Sequence, residues 1–170
     1  MKEVVLKEEI EIWDLYDENK VKLNKDHIRG LPLLENEYHL VAHVWIKNSK
    51  GQYLISKRSL NKKTFPLMWE CVGGSVIKGE NTYEGAIREV MEEVGIDLRH
   101  IDGTFITSFV RKEYQDIVDV YEFCYDGEAY LELASTDEVV ETKWMTKEEI
   151  KDLFEKGKMI KTLEYFINRL

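Results

Sequence analysis

The sequence predicts an α/β protein, a mixed sheet with flanking helices and a β-hairpin added in front. Three observations carry that reading. Short alternating segments with turn residues between them recur through the first half and again after residue 103. One segment, residues 82–94, has helical periodicity with a cap at each end, and a capping-box spacing at Thr146–Glu149 opens a second helix. Strands mixed with two or three helices then stack as layers, because a sheet must bury its apolar faces against something.

The elements follow in order. Residues 9–16 alternate apolar with polar, the cluster Asp17-Glu18-Asn19-Lys20 reads as a turn, and residues 21–23 return, giving an N-terminal hairpin with a connection to about residue 36. Residues 40–47 and 52–57 form two strands around the turn Asn48-Ser49-Lys50-Gly51. A polar loop spans 59–66, and a short strand, 69–72, ends at Gly73-Gly74. The helix over 82–94 has Asn81 and Thr82 as cap candidates and stops at Gly95. Residues 104–110 and 117–125 form two long strands, and 141–145 a short one. The second helix runs to about Lys156, and residues 159–170 form a third with Ile160, Leu163, Phe166 and Ile167 on one face.

Composition narrows the function. Hydrophobic residues at 44% beside 34% charged residues describe a soluble globular chain, and 170 residues suffice for one domain, 1–170, with its own core. A formal net charge of -9 argues against sequence-independent nucleic-acid binding, and it means an anionic substrate needs a local cation. No apolar leader is expected in residues 1–9 and no stretch has the length of a membrane span. Cys71 and Cys124 are too far apart for a CxxC site, so the expected setting is reducing and cytoplasmic, with no membrane partner.

The chemistry sits on the helix over 82–94. At about 100° per residue, Glu89 and Glu93 fall within about 40° of each other and Glu92 about 60° to the other side. Like charges at i,i+4 cost a helix about 0.2–0.5 kcal/mol per pair, so helix formation does not ask for them. Mg²⁺ does, because it takes oxygen ligands from carboxylates together with substrate phosphates. The bland alternative is a solvated acidic face.

The flanking residues decide between the two. Gly74, Glu80, Arg88-Glu89-Val90, Glu92-Glu93 and Gly95-Ile96 stand at the spacing G-x5-E-x7-R-E-U-x-E-E-x-G-U, with U apolar, across residues 74–96. In this the sequence resembles the Nudix family, and every fixed position of that signature is filled. The resemblance implies an α/β/α sandwich and a metal-dependent hydrolase that cuts a diphosphate linkage by water attack on phosphorus. It implies Glu89, Glu92 and Glu93 as ligands of Mg²⁺ (Mn²⁺ as substitute), Gly74 through its carbonyl as a further ligand, and Glu80 and Arg88 as a structural ion pair. Glu92 and Glu93 are the catalytic pair of that set. For a general base outside the helix, Glu113, Asp116 and Asp119 are candidates, and Asp116 is preferred. Lys57 and Arg58, at a strand end before a polar loop, are expected to reach substrate phosphates. Trp69 reads as core rather than a base-stacking ring, and the four histidines have no metal-ligand spacing.

The hairpin segment also resembles a Nudix branch that includes isopentenyl-diphosphate isomerases, with His39 standing where those enzymes have a metal-binding histidine. They have Cys-Gly-His where this chain runs Cys71-Val72-Gly73-Gly74, so Cys71 reads as a buried strand residue. An isomerase, or a non-catalytic nucleotide-binding module, is the alternative to the hydrolase. The group attached to the diphosphate stays open between nucleoside phosphates, nucleotide sugars, dinucleotide polyphosphates and prenyl diphosphates. A homodimer through the hairpin and the last helix is the one macromolecular partnership suggested.

Overall fold

The computed structural model describes residues 10–170, so the expectations for residues 1–9, including the first residue of the 9–16 strand, lie outside it. In chain order the elements are β1 (Ile12–Tyr16), β2 (Lys22–Ile28), β3 (His39–Lys47), β4 (Tyr53–Arg58), β5 (Trp69–Glu70), β6 (Val72–Ser75), α1 (Thr82–Val94), β7 (Gly103–Arg111), β8 (Asp116–Cys124), β9 (Val139–Met145), α2 (Lys147–Glu155) and α3 (Glu164–Ile167). β1 and β2 form the antiparallel N-terminal hairpin. The remaining strands make one mixed sheet centred on β3, which runs parallel to β8 from His39↔Asp116 to Lys47↔Cys124. β7 pairs antiparallel with β8 at one edge, while β4 carries β5 and β9 on the other side.

β3 reads as a nearly continuous apolar run because both of its faces are covered. Leu40, Ala42, Val44 and Ile46 pack with Ala86, Val90 and Val94 of α1. Val41 and Trp45 face Ile150 of α2 and the C-terminal residues Met159, Leu163, Phe166 and Ile167. Trp45 stacks on Phe166 at 3.6 Å, which fixes the C-terminal segment against the sheet. The result is the expected three-layer α/β/α arrangement.

Two elements differ from the sequence reading. The strand expected over 69–72 divides at Cys71 because the chain changes partners: Trp69 and Glu70 pair with β4, and Val72–Ser75 with β3. That second strand continues through the glycines instead of ending at them, since a Cβ on Gly73 would lie 2.1 Å from the Ala42 carbonyl oxygen. The helix expected over 159–170 is also not continuous. Met159 bridges Trp69 in strand fashion, with Ile160 N–H donating to the Trp69 carbonyl at 3.0 Å. A single 3₁₀ turn, Lys161–Leu163, then leads into the four-residue α3. The apolar spacing is satisfied either way, and sheet pairing takes its first two residues.

Candidate functional site

α1 begins where Asn81 caps it, accepting from Glu84 N–H at 2.9 Å while the Glu84 carboxylate accepts from Asn81 N–H at 2.9 Å. It ends at Gly95 in the left-handed region, φ 68°, where a Cβ would strike the Tyr130 carbonyl at 2.1 Å. Glu92 and Glu93 fall in its last turn, at the negative end of the helix dipole, with no basic residue in that turn to offset them. The helix is a poor place for carboxylates on grounds of stability alone.

Those carboxylates are not a solvated face. Glu93 is only 6% exposed, and its Oε2 accepts a long hydrogen bond from Gly73 N–H at 3.4 Å. Burial, then the charges of Glu89, Glu70 and Glu138, hold the Glu93 carboxyl well above the usual range. Burial likewise pushes Glu89 up to about 7, with Arg88 opposing and the Glu92 and Glu11 charges adding to the rise. Gly74 lies directly against Glu89: a Cβ there would sit 2.6 Å from the carboxylate carbon.

Arg88 binds the group together. Its Nε donates to Glu80 Oε1 at 2.7 Å and its Nη2 to Glu80 Oε2 at 3.1 Å and the Ser75 carbonyl at 3.0 Å. Nη1 donates to Glu89 at 3.0 Å and Glu92 at 2.9 Å. One guanidinium therefore touches three of the four signature carboxylates and the end of β6. With Glu89 and Glu92 turned onto Arg88, no three His, Cys, Asp or Glu side chains among the described residues converge as a ready ion cage.

Around this group opens a cleft of ≈ 1440 Å³. Gly73, Gly74, Arg88, Glu89, Glu92 and Glu93 form one side. The loop after β4 adds Lys62 and Lys63, and the segment before β9 adds Asp137 and Glu138. That segment is docked on α1, with the Ser135 and Thr136 N–H groups donating to the Glu92 carbonyl at 3.0 and 3.2 Å. The hairpin closes the cleft with Ile10, Glu11, Trp13, Ile28 and Arg29.

The other expected residues divide. Asp116, the expected base, lines the cleft, and both of its oxygens accept from Arg111, at 2.8 and 2.6 Å. Asp119 is buried on the α1 side of the sheet, accepting from Thr82 Oγ1 and the Lys20 amine, each at 2.5 Å. Glu113 stands in the exposed β7–β8 turn. Arg58 reaches the cleft wall, yet its guanidinium donates to Glu70 at 2.7 Å and to the Thr64 carbonyl at 2.8 and 3.0 Å, so it fastens the loop. Lys57 corrects the expectation more sharply: its amine lies 5.5 Å over the Trp69 ring and 3.7 Å from Glu141, outside the cleft lining, because β-strand alternation sends it to the opposite face from Arg58. Trp69 and Cys71 are core residues, and burial raises the Cys71 thiol well above its usual range.

Sequence reasoning missed Arg29, Lys62, Lys63 and Arg111, which line the cleft from three separate segments. It also missed Trp13, whose ring stacks on His39 at 3.8 Å and 13°. A Lys-Lys pair inside an otherwise polar loop was the one local signal available.

Known proteins share this fold. A family model described as NUDIX domain matches residues 37–166. An uncharacterized Nudix hydrolase of Listeria monocytogenes is 37% identical over 163 residues, covering 95% of this chain and 94% of its own, a span that takes in the hairpin. The crystal structure of DR0079 from Deinococcus radiodurans superposes with a TM-score of 0.78 at 26% identity, over 94% of this chain and 98% of that one. An isopentenyl-diphosphate Delta-isomerase of Salmonella heidelberg is 38% identical over only 66 residues, 38% of this chain and 36% of its own.

Proposed function

This chain belongs to the Nudix family of hydrolases, and from that premise we propose that it cuts a diphosphate linkage in a small metabolite of the nucleoside diphosphate type, with Mg²⁺ or Mn²⁺ bound by the signature carboxylates. The observation that carries this reading is one cleft in which buried, mutually repelling carboxylates face Lys62, Lys63 and Arg29. Carboxylates that burial drives toward their neutral form gain most from a divalent cation, and an all-oxygen set suits a hard one. Glu89, Glu92, Glu93 and the Gly74 carbonyl would hold it, with the absent side chain of Gly74 leaving the room.

Such a cation would offset the diphosphate charge and acidify water beside it. The chain's own groups supply the rest. Glu80 fixes the Arg88 fork, and Arg88 holds Glu89 and the more exposed Glu92 beside the cleft. Lys62, held by Glu138, and Lys63 would receive phosphate oxygens. Asp116 holds Arg111 in the cleft wall as a positioning residue.

An isomerase needs an acid or base poised at carbon, and the buried Cys71 lies in the core on the α2 side of the sheet, outside the cleft lining. The test is a phosphate-release screen with Mg²⁺ or Mn²⁺ over nucleoside di- and triphosphates, nucleotide sugars, dinucleotide polyphosphates and prenyl diphosphates. Release should stop on chelation and return with either cation. Full turnover after exhaustive chelation sinks the metal assignment, and clean conversion of isopentenyl diphosphate to its dimethylallyl isomer sinks the hydrolase reading.

A further inference from the structure

The N-terminal hairpin lies ahead of the span matched by the family model, yet it builds a wall of the cleft. It is seated there by several independent contacts. Trp13 stacks on His39 of β3, Lys78 N–H donates to the Ile12 carbonyl at 2.8 Å, and Gly79 N–H donates to Asp14 Oδ2 at 2.9 Å. At the hairpin tip the Lys20 amine reaches the buried Asp119. Where the strands rejoin the domain, Arg29 N–H donates to the Glu11 carbonyl at 3.0 Å, and Arg29 Nη1 to Glu11 Oε2 at 2.6 Å. Glu11 Oε1 is taken by Trp13 Nε1 at 2.7 Å, so the carboxylate that holds Arg29 is itself fixed.

We propose that the hairpin is part of the active site and that Arg29 is its substrate-binding residue, a guanidinium that takes non-bridging oxygens of the diphosphate. This rests on the diphosphate reading above and adds a residue that the signature does not contain. Arg29 lines the cleft, its side chain is half-exposed, and only Nη1 donates to a side chain among the described residues. The Nε and Nη2 donors remain as a fork, the geometry that suits two phosphate oxygens. Burial opposes the charge of Arg29, but the Glu11 bond and the charges of Glu11, Glu138 and Glu89 outweigh it, which places Arg29 in the field of the α1 carboxylates across the cleft. Trp13 cannot serve as a free stacking platform for a base. His39 covers one neighbour position at 3.8 Å and His27 stacks at 5.9 Å, so the hairpin offers the substrate a cation rather than an open ring.

The test is calorimetric titration with imidodiphosphate, a non-hydrolysable diphosphate, in the presence of Mg²⁺. Arg29→Ala should weaken binding about tenfold or more and Arg29→Lys less, with thermal midpoints near wild type. Arg99→Ala, at an exposed pair with Asp97, should bind as wild type does. Glu11→Gln separates recognition from mere fastening of the hairpin. The amide oxygen still accepts from Trp13, while the lost carboxylate releases Arg29, so binding should hold or tighten. Equal binding by wild type and Arg29→Ala, or a loss in Glu11→Gln that matches Arg29→Ala, overturns the proposal while leaving the hydrolase reading intact. Failure of the wild-type protein to bind imidodiphosphate overturns both.

Discussion

Arg88→Met isolates what the guanidinium contributes, because methionine keeps much of the stem's volume and removes the charge and all five donated hydrogen bonds. Breaking a buried ion pair from one side costs about 3–5 kcal/mol. Arg88 is 22% exposed and Glu92 35%, so solvent screening lowers that figure. Glu89, already pushed up to about 7, can also take a proton at neutral pH and relieve part of the repulsion. A loss of about 3 kcal/mol follows, and for a chain of 170 residues this corresponds to a fall of about 6–12 °C in midpoint. Thermal unfolding followed by circular dichroism, without metal at pH 7.5, measures it. Arg88→Lys should fall between wild type and Met, since it keeps the charge and loses the fork. A midpoint for Arg88→Met within about 2 °C of wild type would refute the idea that one guanidinium organises the carboxylates.

Gly74→Ala puts a methyl group 2.6 Å from the Glu89 carboxylate carbon, so Glu89 must leave its place; Mg²⁺ affinity and activity should drop about tenfold or more, and an unchanged Mg²⁺ titration would contradict this. Glu93→Gln should lower kcat by about a hundredfold while metal-free stability holds or rises, because burial and its carboxylate neighbours disfavour the charged form of that group; a marked loss of stability counts against it. Burial lowers His39 to about 4 and His43 to about 3. Since both values lie below the unfolded one, their contribution is present above about pH 6.5 and lost as pH falls toward 4, up to about 3 kcal/mol for His39. Urea unfolding of His39→Phe from pH 7 to 4 should show a shallower decline than wild type, and an identical slope refutes the assignment. Asp116→Asn should destabilise through Arg111 and leave the acidic limb of the pH–rate profile in place, whereas a flattened limb would restore Asp116 as the base.

The signature helix was legible because its pattern is local. Asn81, Gly95 and the carboxylates are set by i,i+3 and i,i+4 relations that a linear reading contains. The hairpin was legible as a hairpin but not as a wall of the cleft, since nothing within residues 10–30 encodes the docking of Trp13 on His39 or of Lys20 on Asp119. The partners of Arg58 were not legible for a similar reason. A cation at a strand end looks free until the Thr64 carbonyl and Glu70 are found around it. The C-terminal helix was misread because Met159 and Ile160 satisfy a helical stripe and a strand bridge equally well, and only the position of Trp69 chooses between them.

The same placements resolve how a chain with a formal charge of -9 can admit an anionic substrate. Net charge describes the far field, while binding depends on the potential inside the cleft. There, Glu92 is paired with Arg88, Asp116 with Arg111 and Glu138 with Lys62, and burial biases Glu89 and Glu93 toward their neutral forms. Arg29, Lys62 and Lys63 then line the cleft with donors to spare among the described residues, one on the hairpin and two on the loop after β4. A divalent cation bound between the carboxylates would convert that side from repulsive to attractive, so substrate affinity should depend on metal far more steeply than on salt. On the proposed reading, a cation on the signature carboxylates would reconcile the acidity of the chain with a diphosphate substrate, and would couple recognition to the group that supports the chemistry.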